Sequence, residues 1–243
     1  MNSTEIEFTK YRQCGAYHWQ DVSGHPMKRN AFVISRYKNV LSLLKEALGG
    51  SLKKKIILDV GCGDGVLSCW MAKEGAEVSG VDYSDIAIDC AKKKAGKLRV
   101  SFRQADAYKL PFPDNYFDGA VSSDVLEHLS VVGDCLKEVK RVLKINGVLV
   151  TSTPIRFTEK PLDTLHVTEW FQSEFRELIT RVFPRSEFYE SHPLFWMELY
   201  KRSPYGRCVV NLVSFFKNPF KGFKKGKWKM MVMQYSVSTK IEC

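Results

Sequence analysis

Residues 56–65 read IILDVGCGDG, an apolar run that ends in Asp59 and then breaks into Gly61, Gly63 and Gly65, separated by Cys62 and Asp64. Glycines in alternation let bare main chain approach a ligand closely and adopt positive φ. A dinucleotide site asks for G-x-G-x-x-G with a small sixth residue, and here the sixth position is Val66. Asp64 stands where the following helix begins, and an acid at a helix N-terminus competes with bound anions. The turn therefore suits a nucleoside with a cationic or zwitterionic arm better than a pyrophosphate. Asp82 follows Asp59 by 23 residues, close to the spacing at which an acid takes ribose hydroxyls. Asp106, beside Ala107, offers a carboxylate to an adenine amino group, and Ser123 ends a fourth apolar stretch.

Histidines supply the candidate acid–base groups: His18, His128 in VLEHL, and His166 ahead of Thr168-Glu169-Trp170. The plainer reading makes His128 and His166 helix caps or packing residues. Seven scattered cysteines with no C-x-x-C pair read as reduced thiols, and His25-Pro26 and His192-Pro193 lack partners at metal-ligand spacing. No metal is expected.

The elements that must position these groups alternate in character. Residues 29–48 place Val33, Tyr37, Val40, Leu41, Leu44 and Leu48 on one stripe, a packing helix stopped by Gly49-Gly50. Strand-like and helix-like segments then follow in turn: GVLSCWMAKEG, EVSGVD, SDIAIDCAKKKAG, LRVSFRQAD, FDGAVSSD, VVGDCLKEVKRVLK and GVLVTST. Such alternation predicts an α/β fold, a parallel sheet flanked by helices on both faces, with ligands beyond the carboxyl ends of the strands. Downstream, a helix led by Trp170 and a final strand pair, 186–192 and 231–240, are expected around an insertion of about forty residues.

The stretches LDVGCGDG (58–65), VDYS (81–84), ADAYKLPFPDNYFD (105–118), VSSDVLEHL (121–129) and EVKRVLKINGVLV (138–150) stand in the order and at the spacing of the class I S-adenosylmethionine-dependent methyltransferases. Over residues 55–155 the chain resembles the ubiquinone/menaquinone-biosynthesis group of that family. The resemblance implies a Rossmann-like three-layer sandwich with a seven-stranded, mostly parallel sheet whose last strand is antiparallel. It implies S-adenosylmethionine as cofactor, with Asp59, Gly61, Cys62, Gly63 and Asp64 around the methionine arm, Asp82 and Tyr83 at ribose and adenine, Asp106 and Ala107 at the adenine edge, and Ser123 near the methionine. One departure is Asn146, where the family usually has proline before Gly147.

With 243 residues and 44% hydrophobic content, the chain is read as one domain: a lid and packing helix (1–50), a cofactor core (51–155) and an acceptor-side region (156–243). The lid expectation rests on Tyr11, Tyr17, His18 and Trp19, which equally suit packing on the leading helix. No apolar run of spanning length and no secretory signal is evident, so a cytoplasmic location is expected. Ten Lys or Arg against Glu242 within 201–243 carry nine of the ten net positive charges. There, lysines interleave with Phe220, Phe223 and Trp228, a mixture suited to peripheral contact with a membrane or a lipid-linked substrate, or less well to RNA. A third reading leaves the lysines solvated and uses the helix to close the acceptor pocket. The expected activity is methylation of a small molecule, at oxygen, of a sugar, quinone-like or lipid-linked kind. RNA methylation and a non-catalytic nucleoside-binding module are the alternatives.

Overall fold

A computed structural model describes residues 10–25, 28–159, 161, 163–223 and 230–242. Two short helices, α1 (Lys10–Cys14) and α2 (Tyr17–Asp21), precede α3 (Ala31–Ala47). The alternating core runs β1 (Ile56–Val60), α4 (Val66–Lys73), β2 (Glu77–Asp82), α5 (Asp85–Ala95), β3 (Val100–Gln104), β4 (Phe117–Ser123), α6 (Val132–Val142) and β5 (Leu143–Pro154). A 3-10 turn, Leu126–His128, interrupts the path from β4 to α6. Then come α7 (Gln172–Val182), β6 (Arg185–Pro193), α8 (Leu194–Arg202), α9 (Pro204–Phe216) and β7 (Met231–Thr239). The sheet has seven strands in the order β3-β2-β1-β4-β5-β7-β6, and β7 alone runs antiparallel to its neighbours. This is the expected Rossmann-like architecture. Chain order reverses between β1 and β4, which puts the ends of β1, β2 and β4 beside one another.

Local chemistry fixes the element boundaries. Asn30 caps α3 by accepting from the Val33 N–H (3.3 Å), and Ser84 caps α5 by accepting from Ala87 (3.2 Å). Gly49 and Gly50, both at positive φ, end α3 as expected. One face of the sheet packs on α3 and α4 through Val40, Leu44, Ile57, Met71 and Val121, the other on α6 and α7 through Leu58, Phe117, Leu136, Phe175 and Ile179. Both faces of the central strands are covered, so their apolar runs are nearly continuous.

Three details depart from expectation. The helix placed at Trp170 begins two residues later, at Gln172. Strand β5 starts at Leu143 instead of Gly147, because the register against β4 shifts between Phe117 and Gly119 and Asn146 takes a left-handed φ of 64°. Among the described residues the insertion holds two helices, not one, and the stripe expected to bury α9 faces outward: Val209, Leu212, Val213 and Phe216 are exposed. Polar anchoring explains this rotation. Asn211 accepts from the Ala31 N–H (3.1 Å) and donates to the Arg29 carbonyl (2.6 Å), and Ser214 accepts from Arg29 Nε (3.2 Å). Gly206 completes the contact, since a Cβ there would stand 2.1 Å from the Leu199 carbonyl oxygen. Trp228 and Lys224, Lys225, Lys227 and Lys229 of the basic insertion lie outside the described residues. Among the described residues no helix is long and apolar enough to cross a membrane.

Helix α3 also buries polar groups that a hydrophobic stripe does not reveal. Arg36 pairs with Asp124 at the end of β4. Asn39 donates to Ser191 Oγ (3.2 Å), which lies 2.5 Å from His192 Nδ1 and 2.9 Å from Tyr235 Oη. The Nε2–H of His192 donates to the Phe32 carbonyl (3.1 Å). Burial lowers its pKa from 6.5 to about 3, with Arg36 acting in the same direction.

Two stability predictions follow from these buried groups. Between pH 6.5 and 3 the unfolded chain takes up a proton at His192 that the native chain refuses, so stability conferred by the neutral ring is complete above pH 6.5 and falls with pH across that window. His192→Asn, which tolerates the local φ of 64°, should flatten the urea-unfolding stability profile there; an unchanged slope would refute the assignment. Arg36→Met should cost about 3 kcal/mol by leaving Asp124 without its counter-charge. Adding Asp124→Asn should recover part of that loss, and a second variant no more stable than the first would show that the pair is not the cause.

Candidate active site

The glycine turn and the loops after β4 and β5 share one cavity of about 1400 Å³. At its floor, β1 delivers Gly61 at φ 69° and Gly63 at φ 54°. A Cβ on Gly61 would stand 2.3 Å from a methyl of Val125, and one on Gly63 2.1 Å from Tyr11 Oη. Side chains are thus excluded twice, by backbone conformation and by neighbours. Asp82, at the end of β2, fixes the turn: Oδ2 accepts from the Gly63 N–H and Oδ1 from the Ser84 N–H, each at 2.9 Å. Each oxygen keeps a further lone pair. Burial raises its pKa, opposed by these two backbone donors.

Eight of the ten residues expected at a cofactor, Gly61, Cys62, Gly63, Asp82, Tyr83, Asp106, Ala107 and Ser123, line this cavity. Asp106 Oδ1 accepts from the Tyr108 N–H (2.8 Å), and Ser123 Oγ lies 2.9 Å from Ser152 Oγ. The other two, Asp59 and Asp64, do not line it. Asp59 is 2% exposed and bonded to Ser68 Oγ on α4 at 2.5 Å, and burial pushes its pKa up to about 7. Asp64 is 1% exposed; its carboxylate accepts from the His18 N–H (3.0 Å) and meets His18 Nδ1 (3.2 Å), and its carbonyl accepts from Trp19 Nε1 (2.8 Å). These partners lie about 45 residues upstream, so local spacing could not reveal them. They moor α2 beside the turn, and Tyr11, Tyr17 and His18 line the same cavity.

Across the cavity lies the second group of polar side chains. His128 and His166, far apart in sequence, have ring centroids 5.0 Å apart in an edge-on arrangement. His128 Nδ1 meets the Leu165 carbonyl at 2.9 Å, and His166 Nδ1 meets Glu169 Oε1 at 2.6 Å. Burial lowers the pKa of His128. Beneath them Glu127 is wholly buried, and desolvation followed by the nearby Asp124 pushes its carboxyl well above the ordinary range. The main chain holds the loop in place, since the Glu127 carbonyl accepts from Val167 (2.8 Å) and Thr168 (3.1 Å). Sequence reasoning missed Arg36, Glu127 and Glu169. For Glu169 the spacing His-x-x-Glu was the available signal, whereas Arg36 sits inside a helix read only for its apolar residues. In the insertion, Leu194, Met197 and Lys201 of α8 wall the cavity, not α9.

Residues 58–151 match the methyltransferase domain family. Ubiquinone biosynthesis O-methyltransferase of Nitrosomonas europaea is 31% identical over 159 residues, 63% of this chain and 64% of that one. The mitochondrial ubiquinone biosynthesis O-methyltransferase of Schizosaccharomyces pombe is 38% identical over 122 residues, 47% and 43% of the two chains. The chain thus spans less than two thirds of the length of these curated relatives. Among solved structures, phosphoethanolamine N-methyltransferase 2 of Haemonchus contortus, in complex with S-adenosyl-L-methionine, superposes with a TM-score of 0.69 at 19% identity, covering 100% of this chain and 61% of that one. The YcgJ protein of Bacillus subtilis gives 0.60 at 20% identity, covering 85% and 100%. The glycine turn and the ends of β1, β2 and β4 lie within residues 58–151, the stretch over which this chain is similar to the methyltransferase domain family.

Proposed function

We propose that the chain binds S-adenosylmethionine against the Gly61–Gly63 turn and methylates a hydroxyl of a small molecule held in the opposite half of the same cavity. The observation that carries this reading is that one continuous cavity joins the glycine turn and Asp82 to His128, His166 and Glu169. The donor set fits the cofactor: side-chain-free backbone for the methionine arm, a carboxylate with spare lone pairs for ribose hydroxyls, and Asp106 beside Ala107 for the adenine edge. Tyr83 flanks the ribose and adenine, and Ser123 stands near the methionine. Asp59 and Asp64 act from behind, Asp59 by bracing α4 and Asp64 by mooring the lid. Residues 1–243 work as one unit in this reading.

The cofactor supplies a methyl group already activated by the positive charge on its sulfur, so the protein has mainly to position the acceptor and exclude water. The lid residues Tyr11 and Tyr17 serve the second task; burial raises both phenol pKa values, so they close the cavity as neutral rings. A hydroxyl acceptor must also lose its proton. With Nδ1 of His166 donated to Glu169, Nε2 carries the electron pair able to take it. The named O-methylation of the ubiquinone-biosynthesis relatives supports oxygen as the acceptor atom.

The outward face of α9 supports a lipid-linked acceptor. Tyr205 is 85% and Phe216 96% exposed, with Leu212 and Phe215 between them, and the surrounding segment 201–243 holds nine net positive charges. Exposed rings beside cations suit an anionic lipid surface.

Two measurements test this function. In calorimetric titrations Asp82→Ala and Gly63→Val should each lower S-adenosylmethionine affinity at least about tenfold, the scale of one lost charge-assisted hydrogen bond; unchanged affinity in both folded variants would defeat the placement. The chain should co-sediment with phosphatidylglycerol vesicles but not phosphatidylcholine vesicles, less so at high salt. Leu212→Ser/Phe216→Ser should abolish the effect. Equal sedimentation of that variant, or a tRNA gel shift without vesicle binding, would remove the lipid contact.

A further inference from the structure

The methyl-transfer reading uses His18 and Asp64 only to moor α2, yet their geometry is that of a tuned polar pair. The Asp64 carboxylate takes both polar groups of His18: Oδ2 accepts from the main-chain N–H at 3.0 Å and Oδ1 faces Nδ1 at 3.2 Å. Tyr11 Oη stands 3.4 Å from the same ring nitrogen. A carboxylate only accepts, so the bond to Asp64 puts the proton on Nδ1 and leaves the electron pair of the neutral ring on Nε2. Nε2 makes no hydrogen bond among the described residues. Asp64 is buried and does not line the cavity, whereas His18 does, with 17% of its side chain exposed.

The ring lies against the backbone that the cofactor arm would cross. A Cβ on Gly63 would stand 3.9 Å from His18 Cε1, the carbon that joins the two ring nitrogens. Tyr17 flanks the imidazole with ring centroids 4.0 Å apart, and Tyr11 and Tyr37 follow at 6.1 and 6.2 Å. These neighbours and the bond to Asp64 hold the ring in one orientation. The charges around it are negative: Asp64 touches it, and Asp82 and Asp21 stand within its Coulombic reach. Arg36, on the adjoining helix, is already paired with Asp124. This end of the cavity therefore attracts a cation and repels a carboxylate.

We propose that Nε2 of His18, oriented by Asp64, accepts a hydrogen bond from the α-ammonium group of the cofactor's methionine arm, so that this pair selects ligands by that ammonium. The inference rests on the methyl-transfer reading for the identity of the cofactor. The ammonium donates to Nε2 and Nδ1–H donates to Asp64, and each bond in such a chain polarises the next. A carboxylate that does not reach the cavity thereby acts on a ligand inside it through an imidazole that does. Asp64 is a positioning residue in this arrangement, and His18 is the group that touches the ligand.

The test titrates the full chain calorimetrically at pH 8, where imidazole is neutral. The ligands are S-adenosylhomocysteine and two analogues, one with hydrogen in place of the α-amino group and one with hydrogen in place of the α-carboxylate. The wild-type chain should bind S-adenosylhomocysteine at least about tenfold more tightly than the deaminated analogue, the scale of one charge-assisted hydrogen bond. His18→Phe, which keeps a ring against Tyr17, should reduce that ratio to about twofold or less while leaving affinity for the deaminated analogue within about threefold. Asp64→Asn should reduce the ratio in the same direction. Circular dichroism confirms the fold of each variant, and should His18→Phe fail to fold, Asp64→Asn decides. A wild-type ratio near one, a ratio that survives the substitutions, or equal weakening of all three ligands would overturn the contact. So would a loss confined to ligands that retain the carboxylate. Binding of S-adenosylhomocysteine with any of these results defeats this inference alone, whereas failure of the wild-type chain to bind it or S-adenosylmethionine defeats the proposed function and the contact together.

Discussion

A single carboxylate ties the cofactor half of the molecule together. Asp82 accepts from the Gly63 N–H at one oxygen and the Ser84 N–H at the other, joining the turn after β1 to the turn after β2. These turns leave adjacent parallel strands, whose ladder reaches one bond further, from the Cys62 N–H to the Val81 carbonyl (2.9 Å). Charge-assisted hydrogen bonds of this kind contribute roughly 1.5–3 kcal/mol each, more than neutral ones. The restraint allows Gly61 and Gly63 to keep positive φ and expose bare backbone toward the cavity. The same turn carries Asp64, whose bonds to His18 and Trp19 bring the N-terminal helices over it. The turn and the N-terminal helices are therefore mechanically linked.

The other half of the cavity follows a different design, in which ionisable groups are buried beneath the site. Arg36 from α3 pairs with Asp124, and Glu127 and Glu169 lie behind the two histidines. Buried charge is expensive and does little for net stability. Its concentration at the carboxyl end of β4, beside the cavity, places it where chemistry gains from preorganised polar groups. The apolar bulk of the sheet, with α3 and α4 on one face and α6 and α7 on the other, supplies the stability that offsets this cost.

Much of this was legible in the sequence. Alternating segments gave the parallel core because period and punctuation are local properties: EVSGVD coincides with β2, and FDGAVSSD contains β4. The glycine turn and Asp82 were legible because their spacing is set by one strand–helix–strand unit. What escaped depends on tertiary partners. Asp64 was read as a ligand contact, and its bond to His18, 46 residues away, lies beyond the reach of local spacing. The buried face of α9 was assigned to Leu212 and Phe216, whereas Asn211 and Ser214 face inward, since the hydrogen bonds to Arg29 and Ala31 outweigh apolar periodicity. Glu127 was passed over because a lone acid beside a histidine carries no signal until folding brings His166 across.

The central claim is that bare backbone and a carboxylate, without phosphate-directed amides, select a nucleoside with a cationic arm. Parallel calorimetric titrations of the wild-type chain with S-adenosylmethionine and with a nicotinamide dinucleotide test it directly. The structure predicts saturable heat with the first and none with the second; heat only with the dinucleotide would contradict the account.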